Sequence, residues 1–354
     1  MKRRYAALIL ALALLTLAAC GSASGPGRQT PTGPTVTDGA GRVLSVPEDG
    51  AAERIASVYA TSVPFLVALG VTDQVVAVNC KSVFWTEADE YLDAAVSVGR
   101  GVVDLEALAA CGATVLIHRS NDSATVEAVE KLGLNVVCIS AEDMEGIYRT
   151  LELLGTYFGA EDRAREVIGW MEGKFEEIDR IVAEIPPEAR VSALVMGSEL
   201  GRVAGGDMLQ SWMIEKAGGV PAAAEVENNG NWITVGVETV LRWDPDFLFC
   251  TSSSALDYTL DDILEGGAWD AMKAVQAGHV AGIPAKLDTW DMPGVACVLG
   301  TFWMLRQMDP DYFTAQQHPQ GQRVQPAAPL RLICAHGSVY PSQAGSKVRP
   351  NMNI

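Results

Sequence analysis

Two α/β lobes joined by one long helix form the fold class that this sequence predicts, and three observations predict it. Short β-branched runs alternate with helical patterns in two separate series along the chain, the signature of parallel sheets with helices on both faces. Between the series lies an uninterrupted helical pattern over residues 161–184. The 354 residues are 49% hydrophobic and 20% charged, enough apolar side chain to fill the cores of two such units.

The N-terminus is a processing signal. Lys2, Arg3 and Arg4 precede an apolar run over residues 6–19, a positively charged region followed by a hydrophobic one of signal-peptide length. The run is shorter than a bilayer span requires. It ends in Leu17-Ala18-Ala19-Cys20-Gly21, which resembles the lipobox of bacterial lipoproteins. That resemblance implies a signal peptide over 1–20, with Cys20 lipidated as the first mature residue. A segment over 21–50 follows as flexible tether and lead-in, rich in Gly, Ser, Pro and Thr as far as about Thr37. The folded part is thus expected outside the cytoplasm, on a lipid anchor or in the periplasm.

The first lobe is expected over 51–160, with strands at 54–58, 75–79, 114–119 and 135–140 and helices at 63–69, 105–110 and 124–132. The connecting helix belongs to 161–188; its apolar positions Ala164, Val167, Ile168, Met171, Phe175, Ile178 and Ile181 follow helical spacing. Pro186-Pro187 stops it, since proline lacks the N–H a helix interior needs. The second lobe covers 189–313, with strands at 191–196, 247–250 and 279–283 and helices at 208–217, 237–242 and 260–273. Residues 314–354 carry no Asp or Glu and four basic residues, Arg323, Arg331, Lys347 and Arg349. Five prolines break every long helix there, so this tail is expected to be disordered.

Composition excludes several function classes. Lys and Arg total 26 against 44 Asp and Glu, a net charge of −18, which repels nucleic-acid phosphates. The sequence contains no GxSxG, HExxH, P-loop or strand-to-helix GxGxxG motif, so no catalytic residues are assigned and an enzyme is not expected. Four histidines and seven cysteines show no metal-cluster spacing. Cys138 and Cys250 fall in apolar strand-like runs, where the thiol serves as a small hydrophobe.

An internal echo recurs at an offset of 132 positions. Val103-Asp104-Leu105-Glu106-Ala107-Leu108, followed by the strand-like Thr114-Val115-Leu116-Ile117, matches Val235-Gly236-Val237-Glu238-Thr239-Val240, followed by Asp246-Phe247-Leu248-Phe249. Each Glu sits in the first turn of a short helix, where the macrodipole favours it. Capping chemistry and a functional pair of carboxylates both account for the match.

Taken together, these features resemble the substrate-binding proteins of ABC importers in the class that carries iron-siderophores, haem and cobalamin. The resemblance covers about residues 35 to 313. It is carried by residues 61–70, the Glu106 segment, Ala204-Gly205-Gly206, residues 214–220, Glu238 through Asp246, and Gly278-His279-Val280 with Trp290-Asp291-Met292-Pro293. It implies a monomeric binding protein that delivers a small-molecule metal chelate to an ABC permease and its ATPase, and it assigns Glu106 and Glu238 to permease docking. The only cofactor-like group it implies is the lipid on Cys20; the ligand is an iron chelate or a tetrapyrrole. A membrane-tethered ligand sensor on the same fold is the alternative.

Ligands of open α/β units lie beyond the carboxyl ends of the parallel strands. That rule selects Tyr59 and Thr61 after the first strand, Phe84 and Trp85 after the second, Arg119 after the third and Ser198 after the first strand of the second lobe. Trp290 follows the last strand, and Trp232 lies in a Gly- and Asn-rich loop expected to face the same cleft. Aromatic rings suit a large flat or amphipathic ligand, and core packing is the other use of each Trp. Arg119 suits a carboxylate or an anionic chelate, with a surface ion pair as its alternative. His118 and Tyr59 are of the types that ligate haem iron axially, and His118 equally fits a structural role.

Overall fold

The structure, a computed structural model, describes residues 33–79, 90–99, 102–252, 256–265, 267–285 and 289–313. Cys20, Phe84, Trp85 and the tail over 314–354 lie outside the described residues. Residues Met1–Pro34 form one unit and Thr35–Ile354 another; of the first, only Gly33 and Pro34 are described, in neither helix nor strand.

The second unit contains strands β1 (Thr35–Thr37), β2 (Val43–Ser45), β3 (Ile55–Ser57), β4 (Val75–Val78), β5 (Val96–Ser97), β6 (Val115–Arg119) and β7 (Asn135–Ile139) before the connecting helix. After it come β8 (Ser192–Met196), β9 (Arg202–Val203), β10 (Val220–Pro221), β11 (Ile233–Thr234), β12 (Phe247–Cys250) and β13 (Val280–Gly282). The first lobe carries helices α1 (Ser62–Leu69), α2 (Glu90–Asp93), α3 (Leu105–Ala110), α4 (Ser123–Lys131) and α5 (Met144–Tyr157). The connecting helix is α6 (Glu161–Val182), and the second lobe adds α7 (Leu209–Lys216), α8 (Val237–Trp243), α9 (Leu260–Leu264), α10 (Lys273–Ala277) and α11 (Cys297–Met308).

The first sheet is parallel throughout, in the order β5-β4-β3-β6-β7. That order reverses direction at β3, the place where open α/β sheets leave a crevice. In the second sheet β8, β12, β13 and β10 run parallel, while β9 and β11 add an antiparallel edge. The edge corrects the expectation of a purely parallel sheet: two-residue strands separated by Gly and Asn turns carry no periodicity to read.

Side-chain alternation sends the two faces of each sheet to different cores. Ile55, Val115, Ile117, Val137 and Ile139 point to the same side as Ala193, Val195, Phe247 and Phe249 of the second sheet, and all belong to one continuous core along α6. The opposite faces feed two separate cores, through Ala56, Leu116 and Cys138 in the first lobe and Leu194, Leu248 and Cys250 in the second. The buried stripe of α6 is Ala164, Val167, Met171, Phe175, Ile178 and Ile181, a one-face pattern of helical period. Phe175 meets Trp212 of α7 edge-on at 5.1 Å, tying this helix to the second lobe, and the Arg163 guanidinium donates to the Ala68 carbonyl at 2.9 Å, tying it to the first.

Three local differences from the sequence reading have clear causes. The helix expected over 260–273 stops at Leu264, the end of α9, and α10 begins only at Lys273; Gly267 between them takes a left-handed φ of +57°. The 14-residue α5, started by the Asp143 side chain accepting from the Gly146 N–H at 2.7 Å, was not anticipated. The lead-in segment contains the hairpin β1-β2, docked on β7. There the Asp38 carboxylate accepts from the Cys138 N–H at 3.1 Å, and the Arg42 guanidinium donates to the Val136 carbonyl at 2.7 Å.

Cys111, Cys138 and Cys250 are free thiols. Burial pushes the Cys138 thiol up to about 11 and the Cys250 thiol up to about 12, as expected of packing groups.

Candidate ligand-binding cleft

A cleft opens between side chains of the two lobes. The first lobe contributes Tyr59 and Thr61, from the turn after β3, and Glu142, from the turn after β7. The second contributes Met208, Leu209 and Gln210 at the start of α7, Gly230, Asn231 and Trp232 from the loop before β11, and Met292 with Pro293. Both first-lobe turns leave carboxyl ends of parallel strands, where backbone curvature opens space for a ligand.

The Trp232 loop is built by hydrogen bonds. The Asp207 carboxylate accepts from the backbone N–H of Gly230 at 2.7 Å and of Asn228 at 3.2 Å. Asn228 in turn donates from its side-chain amide to the Trp232 carbonyl at 3.2 Å. Asn229 and Gly230 take φ of +51° and +71°, the left-handed region that Asn and Gly tolerate best. The Asn and Gly content that marked this segment as a loop is therefore what lets it present Trp232.

Electrostatics on the first-lobe wall centre on one pair. Tyr59 and Glu142 lie near each other there; desolvation raises the pKa of both, and the neighbouring charges of Glu142 on Tyr59 and of Asp143 on Glu142 add to it. On the opposite wall Gln210 is 3% exposed and donates through Nε2 to the Asp291 backbone carbonyl at 2.8 Å. Its Oε1 is buried without a partner, as are both carboxylate oxygens of Asp291 behind it. Burial lifts the Asp291 pKa to about 6.

Of the expected ligand residues, Tyr59, Thr61 and Trp232 meet at this cleft. Trp290 does not: it is 8% exposed and packs in the continuous core. Gly300 of α11 lies so near the Trp290 carbonyl that an added Cβ would stand 2.2 Å from it, which fixes Trp290 against the helix. Ser198 is also off the lining, its carbonyl accepting from the Asp257 N–H at 3.0 Å. The Arg119 guanidinium takes the ion-pair alternative, 3.4 Å from Asp122, yet stays close enough to lower the pKa of Tyr59. His118 hydrogen-bonds through Nε2 to Asp122 at 3.0 Å, and Asp122 caps α4 through the Thr125 N–H at 3.2 Å, a structural network. Those contacts hold the Asp122 carboxyl far below its usual range.

Glu142, Met208, Leu209, Gln210, Met292 and Pro293 were missed by sequence reasoning. Glu142 was within reach of the strand-end rule, two residues beyond the strand expected at 135–140. Gln210 and Met208 carry no such signal, because only the packing of α7 beside the loop at Trp232 brings them to the wall.

Glu106 and Glu238 are both exposed, each in the first turn of its helix, α3 and α8. The cap of α3 is Asp104, which accepts from the Ala107 N–H at 2.9 Å, and Gly236 stands at the matching place in α8 without a side chain to cap. Neither Glu makes an ion pair with a described residue. Capping is thus not what occupies Glu106.

A cleft between two α/β lobes is a place where a small solute can be enclosed. The periplasmic binding protein family matches residues 55–287, and the chain belongs to that family. It is 23% identical over 329 residues to the uncharacterized ABC transporter substrate-binding lipoprotein YvrC of Bacillus subtilis (strain 168), covering 88% of this chain and 99% of that protein. Among solved structures, the molybdate-bound periplasmic binding protein MolA of Haemophilus influenzae is similar with a TM-score of 0.68, 19% identity and coverage of 79% of this chain and 92% of that one. Helicobacter pylori CeuE with Ni(II) bound gives a TM-score of 0.66 at 13% identity, covering 79% and 90%.

Proposed function

We propose that this chain is the extracytoplasmic substrate-binding protein of an ABC importer, anchored through lipid on Cys20, and that it captures an iron-siderophore or a metallo-tetrapyrrole between its lobes. The carrying observation is the cleft itself: Trp232, Met208, Leu209, Met292 and Pro293 offer apolar and aromatic wall, and Tyr59, Glu142 and Gln210 offer a few polar atoms. Such walls suit an organic ligand shell, which hides a metal's charge and buries apolar area. A bare metal ion calls for clustered His, Cys, Asp or Glu, and no group of three or more that could hold one is present among the described residues. The Bacillus relative, a substrate-binding lipoprotein by its name, supports the transport coupling and the anchor.

In this reading the protein acts as a monomer, and exposed Glu106 and Glu238, one per lobe, meet basic residues of the permease, with the ATPase behind it. A ligand sensor on the same fold would keep the cleft and make no use of the two carboxylates. Mass spectrometry of ligand co-purified from native membranes tests the ligand class: a siderophore, haem or corrinoid is expected, and a simple oxyanion or sugar would overturn it.

A further inference from the structure

Two polar side chains line the cleft from the two lobes, Glu142 and Gln210. Glu142 lines the cleft beside Tyr59 and pairs with no cation among the described residues. Across the cleft, Gln210 has spent its N–H on the Asp291 carbonyl, so its buried Oε1 is left as an acceptor with nothing to accept from. An N–H donor brought to this wall would satisfy it. Asp207, already accepting from Gly230 and Asn228, adds negative charge beside the Trp232 loop. The Trp232 ring supplies a face that favours cations. The one described cation near this wall, Arg119, is turned to Asp122.

We infer that the cleft selects a ligand bearing a protonated amine, which sits between Glu142 of the first lobe and Gln210 of the second, next to the Trp232 indole. This rests on the reading of the cleft as a chelate site and narrows it to cationic or ammonium-bearing chelates. An anionic ligand would face the same carboxylates repulsively.

The test titrates the full-length mature protein, by Trp fluorescence, with ferrioxamine B, whose ferric trihydroxamate carries a free ammonium, and with its neutral N-acetyl derivative. Haem and cyanocobalamin complete the panel. Ferrioxamine B is expected to bind at least ~10-fold tighter than the acetylated form, and Glu142→Gln to bring that ratio to about one. Glu142 reaches solvent, so its amide variant keeps the fold. Equal affinities, a preference that survives Glu142→Gln, or binding of haem or cyanocobalamin alone would overturn the inference and leave the chelate reading standing. Binding of none of the four would overturn both.

Discussion

The indole of Trp232 lies against Gly197: a Cβ at position 197 would stand 2.9 Å from Cε3 and 3.0 Å from Cζ3. The end of β8 and the loop before β11 are therefore locked together by the absence of one carbon atom, and the orientation of the cleft's aromatic wall depends on it. The backbone of Gly197 is outside the left-handed region, so alanine fits its conformation; the indole must move, and the Arg202 carbonyl, 3.3 Å from the added carbon, must give slightly. Gly197→Ala should shift Trp emission and weaken ligand binding by about 1–2 kcal/mol, the scale of a partly lost aromatic contact. Unchanged emission and affinity would show that the ring does not form the wall.

Charge reversal at Glu106 and Glu238 should leave ligand affinity intact and impair uptake, because exposed interface charges govern partner association more than the stability of their own lobe. Each helix should keep its start, since Asp104, not Glu106, caps α3. Normal transport by the double variant in whole cells would remove both from the permease interface.

Asp291 predicts a pH signature in stability. Its pKa is raised by burial from 3.8 to about 6, so the folded state holds a proton that the unfolded state has released across that interval. The favourable contribution is complete below pH 4 and is lost as pH rises through 6, a change of about 3 kcal/mol. Asp291→Asn should thus stabilise the protein at pH 7.5 and make little difference at pH 4, read by urea denaturation at both values. Equal effects at the two pH values would contradict the burial argument.

Asp38 is the latch of the N-terminal hairpin. Its carboxylate, fully buried, accepts from the N–H groups of Ala40, Arg42 and Cys138 and from the Arg42 guanidinium. Asp38→Ala leaves that guanidinium without its main partner and should cost about 3 kcal/mol. Hydrogen exchange should then rise first at the Cys138 and Gly39 amides, which bond across this junction. Protection unchanged at both amides would mean that the hairpin docks by other contacts.

Cys20→Ala should abolish lipid labelling and release the protein from the membrane fraction. Labelling that persists in the variant would place the anchor elsewhere.

The strands were legible because each is a short apolar run bounded by turn residues: residues 247–250 were assigned as the strand the structure contains, and 114–119 to within one residue of β6. The connecting helix was legible from the spacing of its six buried apolar side chains. The turns after strands, and with them Tyr59 and Thr61 of the cleft, followed from the rule that ligands gather at strand carboxyl ends. Those features are local, and chain periodicity encodes them directly.

What the tertiary structure alone decided is which apolar side chains belong to which core and which polar atoms face the cleft. Trp232 and Trp290 look alike in sequence, and one walls the cleft while the other is buried, because α11 approaches closely at Gly300. Gln210 lacks any marker in its own segment; its unpartnered oxygen exists only because α7 and the Asp291 segment, 81 positions apart, pack together. Burial and hydrogen-bond satisfaction are properties of non-local contacts, and no residue's own neighbourhood along the chain records them.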